Sequence, residues 1–440
     1  MNIKTFLAQS NLAKMCMVNS FVVFIWWLVF NPGFFSNDSF AVIQMARVDE
    51  VTSGWTAIWA LLVQFITIDG SHPEIATLLF SQTLAISVAI FVDTLFKNKV
   101  AVWTSIIICI TPLVGAMGIT LWHDIPMTSG FLLFTSGVLR LLQKEDHVKK
   151  LIFFGIILSS FRVNGLPTLI IAVIVFLILS RQKKQFCAIL LLLVISLGFA
   201  SNLDAKFSSP ELEASDGFIN WMRYDLSCYA AKTNNDTFFI ENFGNNPSRQ
   251  DWESKSACTW FNDSKVFIKR SDLTNQKTPQ AWKRLALEEP FFVITTHLQR
   301  NAYLFPVPLF GLPRIPFIHT TIEVSNMGIR FWNPEVSEKL RIYPRIWNYF
   351  NFIFGYAGFW LLIVFVFAWR KRSFLFLSVG VIGLILNASL FVFAIISDGR
   401  YSLYTLITGQ IILLEAILSK YPFNSLSILK ANWQKRFEQN

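Results

Sequence analysis

The chain has 440 residues, of which 53% are hydrophobic and 15% charged, with 44 Phe and 15 Trp. A soluble protein of this length carries about 25% charged residues, and here the apolar residues fall in blocks long enough to cross a hydrocarbon core. That excludes an ordinary soluble enzyme and describes an α-helical polytopic membrane protein. The net charge of +10 does not imply a nucleic-acid partner, because basic residues in short cytoplasmic loops account for it.

In chain order the apolar blocks predict spans at 15–31, 73–95, 100–121, 125–142, 149–161, 166–180, 187–203, 349–369, 373–396 and 401–419, ten in all. The first block is followed by "NPGFF", which is not a small-residue cleavage site, so it reads as a retained helix. The fifth and sixth make a hairpin over 149–180. The stretch 55–68, "WTAIWALLVQFITI", gives about 21 Å of helix, too short for a comfortable span.

Orientation decides how 55–68 is read. If it lies along the surface, every basic loop falls on one side. These loops hold Lys4, Lys14, Lys97, Lys99, Lys144, Lys149, Lys150, Arg181, Lys183, Lys184, Arg370, Lys371, Arg372, Lys420, Lys430, Lys435 and Arg436. Only Glu145, Asp146 and Glu438 oppose them. The asymmetry predicts both termini in the cytoplasm. Segment 55–68 is then an interfacial helix with Trp55 and Trp59 at the headgroups.

Three domains follow. Residues 1–203 form an N-terminal membrane domain of seven spans, whose outer loop 32–72 holds the interfacial helix. Residues 204–345 form an outward-facing soluble domain, nearly neutral with 17 basic and 16 acidic residues. Residues 346–440 form a C-terminal membrane domain of three spans and a cytoplasmic tail. Cys228 and Cys258 both lie in the outer segment, where an oxidising compartment permits a disulfide, although spacing alone does not establish one.

Polar residues stranded at membrane level are functional candidates. Four clusters fall on the outer side. They are "SNDSF" with Asp38; "LWHDIP" with His123 and Asp124; "FRVNG" with Arg162, Asn164 and Gly165; and "SDGRYSLY" with Asp398, Arg400, Tyr401 and Tyr404. Any one of them is explained by loops meeting water. Together they supply two carboxylates and two guanidiniums from loops too short to serve as solubilising segments. Arg holds phosphate with a rigid fork of donors, and a carboxylate acts as a base or binds a metal. The set suits an anionic lipid headgroup with chemistry beside it. His72 and Glu74 flank Pro73 at the start of the second span, where Glu74 complements the helix dipole. His297 and His319 lack ligand-like spacing and read as ordinary polar histidines.

The order of features resembles the GT-C superfamily of polytopic glycosyltransferases. One span is followed by Pro32-Gly33, then Asp38 in a long outer loop with surface helices. A second acidic residue, Asp124, comes at a tight outer turn, and a large outer segment lies near the C-terminal half. The likeness covers 1–203 best, and 204–345 only in position and size. It implies a donor sugar carried on polyprenyl phosphate and an acceptor that is a glycan, lipid or protein. It also implies Asp38 as base or metal ligand and Asp124 as the second acid. By position alone, Arg162 and Arg400 would contact the carrier phosphate, with Asn164, Tyr401 and His123 as further substrate-binding residues. The implied location is a bacterial inner membrane with the site on the periplasmic face. The loop reads "NDS" without an Asp-x-Asp pair, and no Trp-Trp-Asp signature is present. No cofactor is certain, therefore, and a divalent metal stays open. Two other classes compete. A transporter or flippase of a lipid-linked glycan predicts charges near the bilayer midplane and two related halves. A scaffold or receptor gives no reason for arginines in two short outer loops.

Overall fold

The computed structural model describes residues 11–48, 55–97, 99–145, 148–207, 216–244, 248–253, 258, 272–305, 318–323, 327–350, 354–393 and 399–420. In chain order its principal helices are α1 (Asn11–Val29), α2 (Asn37–Val48), α3 (Ala57–Thr67), α4 (Pro73–Leu95), α5 (Lys99–Ile110), α6 (Asp124–Gln143), α7 (Val148–Ser159), α8 (Gly165–Leu179) and α9 (Lys183–Phe207). There follow α10 (Asp216–Lys232), α11 (Asp236–Phe243), α12 (Asp272–Glu288), α13 (Pro290–Arg300), α14 (Pro334–Leu340), α15 (Ile342–Tyr349), α16 (Ala357–Lys371), α17 (Phe374–Phe393) and α18 (Leu403–Lys420). Extended pairing among the described residues is confined to two isolated bridges, Phe34 with Thr120 and Phe35 with Ile322.

Among the described residues, six helices are long and apolar enough to cross a membrane: α1, α4, α6, α9, α17 and α18. Around them pack the shorter apolar helices α3, α5 and α8. The centre of the bundle is α6, in which every residue from Asp124 to Arg140 is buried. It contacts α4, α7, α17 and α18. Its small residues permit this. A Cβ on Gly130 would lie 2.6 Å from the Ser159 amide nitrogen, and one on Gly155 2.7 Å from that of Phe134. The α6 and α7 backbones therefore approach as small-residue membrane interfaces do.

Three expected boundaries change. The span predicted at 100–121 stops at Ile110, because Pro112 has no amide hydrogen to donate and disfavours helical backbone at Thr111. A single turn, Gly115–Gly118, follows. The span predicted from 349 begins at Ala357 instead. The apolar run before it belongs partly to α15, a two-faced surface helix that buries Pro344 and exposes Ile342, Ile346 and Tyr349. Helix α9 runs from Lys183 to Phe207, longer than the predicted 187–203.

Segment 55–68 forms the short helix α3, started by Thr56, whose hydroxyl accepts from the Trp59 amide. Trp59 is fully buried and Phe65 is 83% exposed. Helices α10 to α13 enclose a second hydrophobic core, built on Leu226, Phe238, Phe239, Trp252, Leu285 and Val293. Cys228 and Cys258 are joined by a disulfide there. Inside this part a buried Arg300 pairs with Asp225, which also accepts from Trp282 Nε1 at 2.7 Å. Burial pushes Arg300 down to about 9.

Candidate functional site

Two of the four clusters lie at helix starts and two in tight turns between helices. Asp38 lies in the first turn of α2, and Asp124 is the first residue of α6. The helix macrodipole favours a carboxylate at both places. Arg162 lies in the turn between α7 and α8. That turn is closed by the Gly165 amide donating to the Arg162 carbonyl at 2.9 Å. Arg400 lies on the 3-10 turn Gly399–Ser402 that leads into α18.

A strap of extended chain then brings Asp38 inward. The Phe34 amide donates to the Ile119 carbonyl at 3.2 Å, and the Leu121 amide donates back to Phe34 at 3.3 Å. On its other edge the Phe35 amide donates to Thr321 at 3.2 Å, and the Glu323 amide donates to Phe35 at 2.9 Å. Gly33 starts the strap at φ +119°, where a Cβ would sit 2.3 Å from the Ile119 oxygen. Only glycine suits that position. The Asn37 amide donates to Glu323 Oε2 at 2.7 Å.

Residues far apart in sequence thus meet. Arg162 forms an ion pair with Asp124. Arg400 bridges both carboxylates: its Nη2 donates to Asp38 Oδ2 at 2.5 Å, and its Nε lies 3.9 Å from Asp124 Oδ2. The walls are aromatic. Arg162 stacks 3.9 Å over the Tyr401 ring, and Arg400 lies 4.5 Å over Trp122. Both are cation–π arrangements. Arg400 also donates to the Tyr401 hydroxyl at 3.2 Å.

His123 Nε2 is 3.9 Å from Asp124. Burial, followed by the positive charges of Arg162 and Arg400, holds its pKa well below the usual histidine value. It is therefore a neutral imidazole near pH 7 and adds no cation to the site.

Exposure separates the four charges. The side chain of Asp124 is fully buried, Arg400 is 8% exposed and Arg162 14%, while Asp38 is 37% exposed. A buried ion pair is costly to break from one side, about 3–5 kcal/mol. Asp124, Arg162 and Arg400 therefore make a fixed base, and Asp38 is the carboxylate that opens outward.

Of the sequence-predicted residues, Asp38, His123, Asp124, Arg162, Arg400 and Tyr401 come together. Asn164 makes none of these contacts; its Oδ1 is buried at the start of α8 without a hydrogen-bond partner. Tyr404 is buried in the bundle, its hydroxyl 3.0 Å from Thr135 Oγ1. Asp398 lies outside the described residues. Sequence reasoning missed Trp122, whose Nε1 donates to Ser36 Oγ at 2.7 Å. Adjacency to His123 was the available signal. It also missed Glu323, and it read His319 as an ordinary histidine. His319 Nε2 is 3.0 Å from the Phe35 carbonyl oxygen, and its ring centroid is 5.7 Å from that of Trp122.

The donor set does not fit a divalent ion. Both carboxylates face guanidiniums, which would repel one, and the described residues hold no group of three His, Cys, Asp or Glu able to bind a metal. No family model, no curated protein and no solved structure matches the chain.

Proposed function

We propose that the protein is an integral-membrane glycosyltransferase that moves a sugar from a polyprenyl-phosphate carrier to an acceptor on the outer face. The observation that carries the proposal is the meeting of Asp38, Asp124, Arg162 and Arg400 in one ion-paired cluster with a single carboxylate open to the outside. In this reading the chain has ten spans with both termini in the cytoplasm of a bacterial cell. The part around α10–α13 stands in the periplasm, where its disulfide is at home.

The step balances on these groups. Asp38 takes the proton of the acceptor hydroxyl as that oxygen bonds to the anomeric carbon. The bond from that carbon to the phosphate oxygen breaks, and its electron pair leaves with the carrier phosphate. Each guanidinium has five N–H donors, more than one carboxylate engages. Arg162 and Arg400 therefore stabilise the leaving phosphate while remaining anchored to Asp124. This is stabilisation by preorganised charge, which removes reorganisation from the reaction itself. A transporter would place its ionisable residues near the bilayer midplane, whereas these lie at helix starts and turns on one face.

The test is a liposome assay with a polyprenyl-phosphate sugar and a mixed set of glycan, lipid and peptide acceptors. Wild-type protein should transfer sugar, and Asp38→Asn should retain donor binding with turnover reduced at least about a hundredfold. Near-normal turnover by Asp38→Asn would return that residue to an ordinary loop carboxylate. The topology has its own measurement. Thiol labelling of Asn98→Cys should need access from the cytoplasm, and Gly54→Cys and Asp69→Cys should both label from outside. Labelling of the last two from opposite sides would make α3 a span and reverse the orientation.

A further inference from the structure

An open cavity of about 590 Å³ lies where α2 ends, α4 begins and the chain at 327–332 crosses them. That volume falls in the ~300–1,000 Å³ range of small-ligand sites. Among its lining residues are Asn31, Arg47, Ser71, Glu74, Arg330 and Trp332. None of them belongs to the ion-paired cluster.

The walls are held from several directions. The Trp332 amide donates to the Asn31 carbonyl at 2.8 Å, Arg47 Nη2 donates to the Gly70 carbonyl at 3.2 Å, and Glu74 Oε1 is 2.9 Å from His72 Nδ1. Trp332 is 75% exposed. Its backbone is anchored at the rim, and its exposed indole offers a flat, electron-rich face.

We infer that this cavity binds a saccharide chain, and that the acceptor of the proposed transfer is therefore an oligosaccharide. The inference rests on the transferase reading and narrows it. The C–H face of a pyranose is apolar and carries partial positive charge, so it suits the negative face of an indole. Its hydroxyls need donors and acceptors side by side, which Asn31, Ser71, Arg330 and Glu74 supply. Two guanidiniums against one carboxylate favour a saccharide that carries acidic groups.

Helix α2 fixes the reach. It carries Asp38 in its first turn and Arg47 in its last. Nine residues of helix put them about 13 Å apart. A chain of several sugar units seated on Trp332 can extend along α2 and bring its terminal hydroxyl to Asp38, whereas a single sugar cannot touch both.

The experiment uses the full chain in detergent on a printed array of neutral and acidic oligosaccharides, with no donor present. Wild-type protein should retain acidic glycans over neutral ones. Trp332→Ala should lose about tenfold in apparent affinity, the size of one lost aromatic stack, and Arg330→Ala should weaken the acidic glycans selectively. No glycan retained by the wild type, or equal retention by Trp332→Ala, overturns the inference. So does quenching of Trp332 emission by brominated lipid, measured as wild type minus Trp332→Phe, because that makes it a headgroup anchor. Donor turnover in liposomes judges the transferase reading separately, so the two failures are distinguishable.

Discussion

The two ends of α6 carry ion clusters of the same size and different character. At its start are Asp124, Asp38, Arg162 and Arg400. At its end Arg140 pairs with Asp93 at 3.2 Å and lies 4.0 Å from Glu145, which pairs with Lys97 at 3.2 Å. Each cluster has two acids and two bases, and each suits the helix dipole. The cluster at the α6 end ties the end of α4 to the end of α6, with Arg140 buried and only Lys97 and Glu145 well in water, and Thr94 fills out its hydrogen bonds. The outer one is drawn from four separate turns, walled by Trp122 and Tyr401, and rests on a carboxylate with no exposure. The two clusters match in charge count and differ in their aromatic walls, in the burial of their central acid and in the number of separate segments that supply them.

The largest difference should appear in stability. Asp124→Ala strands Arg162 and Arg400 in the interior and should cost about 3–5 kcal/mol. Asp93→Ala leaves Arg140 with Thr94 and Glu145 as partners and should cost less, about 1–2 kcal/mol. Unfolding curves in detergent read both, and equal losses would erase the distinction.

Activity should separate the ends next. On the transferase proposal, Asp38→Asn removes the exposed carboxylate and should cost at least about a hundredfold of turnover, whereas Glu145→Gln should leave turnover unchanged. A comparable loss in Glu145→Gln would mean that the inner cluster takes part.

Arg400→Lys keeps the charge but loses the planar group that stacks on Trp122 while reaching both acids. Losing one charge-assisted contact, about 1.5 kcal/mol, should raise the donor KM roughly tenfold. Arg140→Lys should not move it.

The smallest effect is in pH dependence, because His123 is at the outer end only. Its folded pKa lies below the usual value, so the folded state binds fewer protons than the unfolded state. Its contribution to stability is complete above about pH 6.5 and is lost as pH falls below that. The slope is at most about 1.4 kcal/mol per pH unit. His123→Gln should flatten it, and an unchanged slope would assign the acid sensitivity elsewhere.

The membrane character and most of the cluster were legible in the sequence because they are local properties. Apolar blocks state their own length. A charge in a turn of a few residues, such as Arg162 or Arg400, has no solvent-facing stretch to blend into. What was illegible depended on distance along the chain. His319 and Glu323 reach Phe35 and Asn37 across more than 280 positions, and no periodicity reports such a pairing. The break after Ile110 was legible in principle, since Thr111-Pro112 carries a helix stop, but the apolar residues on both sides hid it. Trp332 and Arg330 carried no signal in the sequence, because the cavity they line is made jointly with α2 and α4.

The bridge from Arg400 to Asp38 spans 362 positions of chain. At roughly 5–20 residues per second, Asp38 leaves the ribosome about twenty seconds to more than a minute before its partner exists. During that interval α6 is already made, and Arg162 is the first guanidinium to reach Asp124. The cluster therefore assembles in two stages, Asp124 with Arg162 first, and Arg400 with both carboxylates once the turn before α18 is made. A chain arrested before α18 would lack Arg400, and with it the bridge between Asp124 and Asp38.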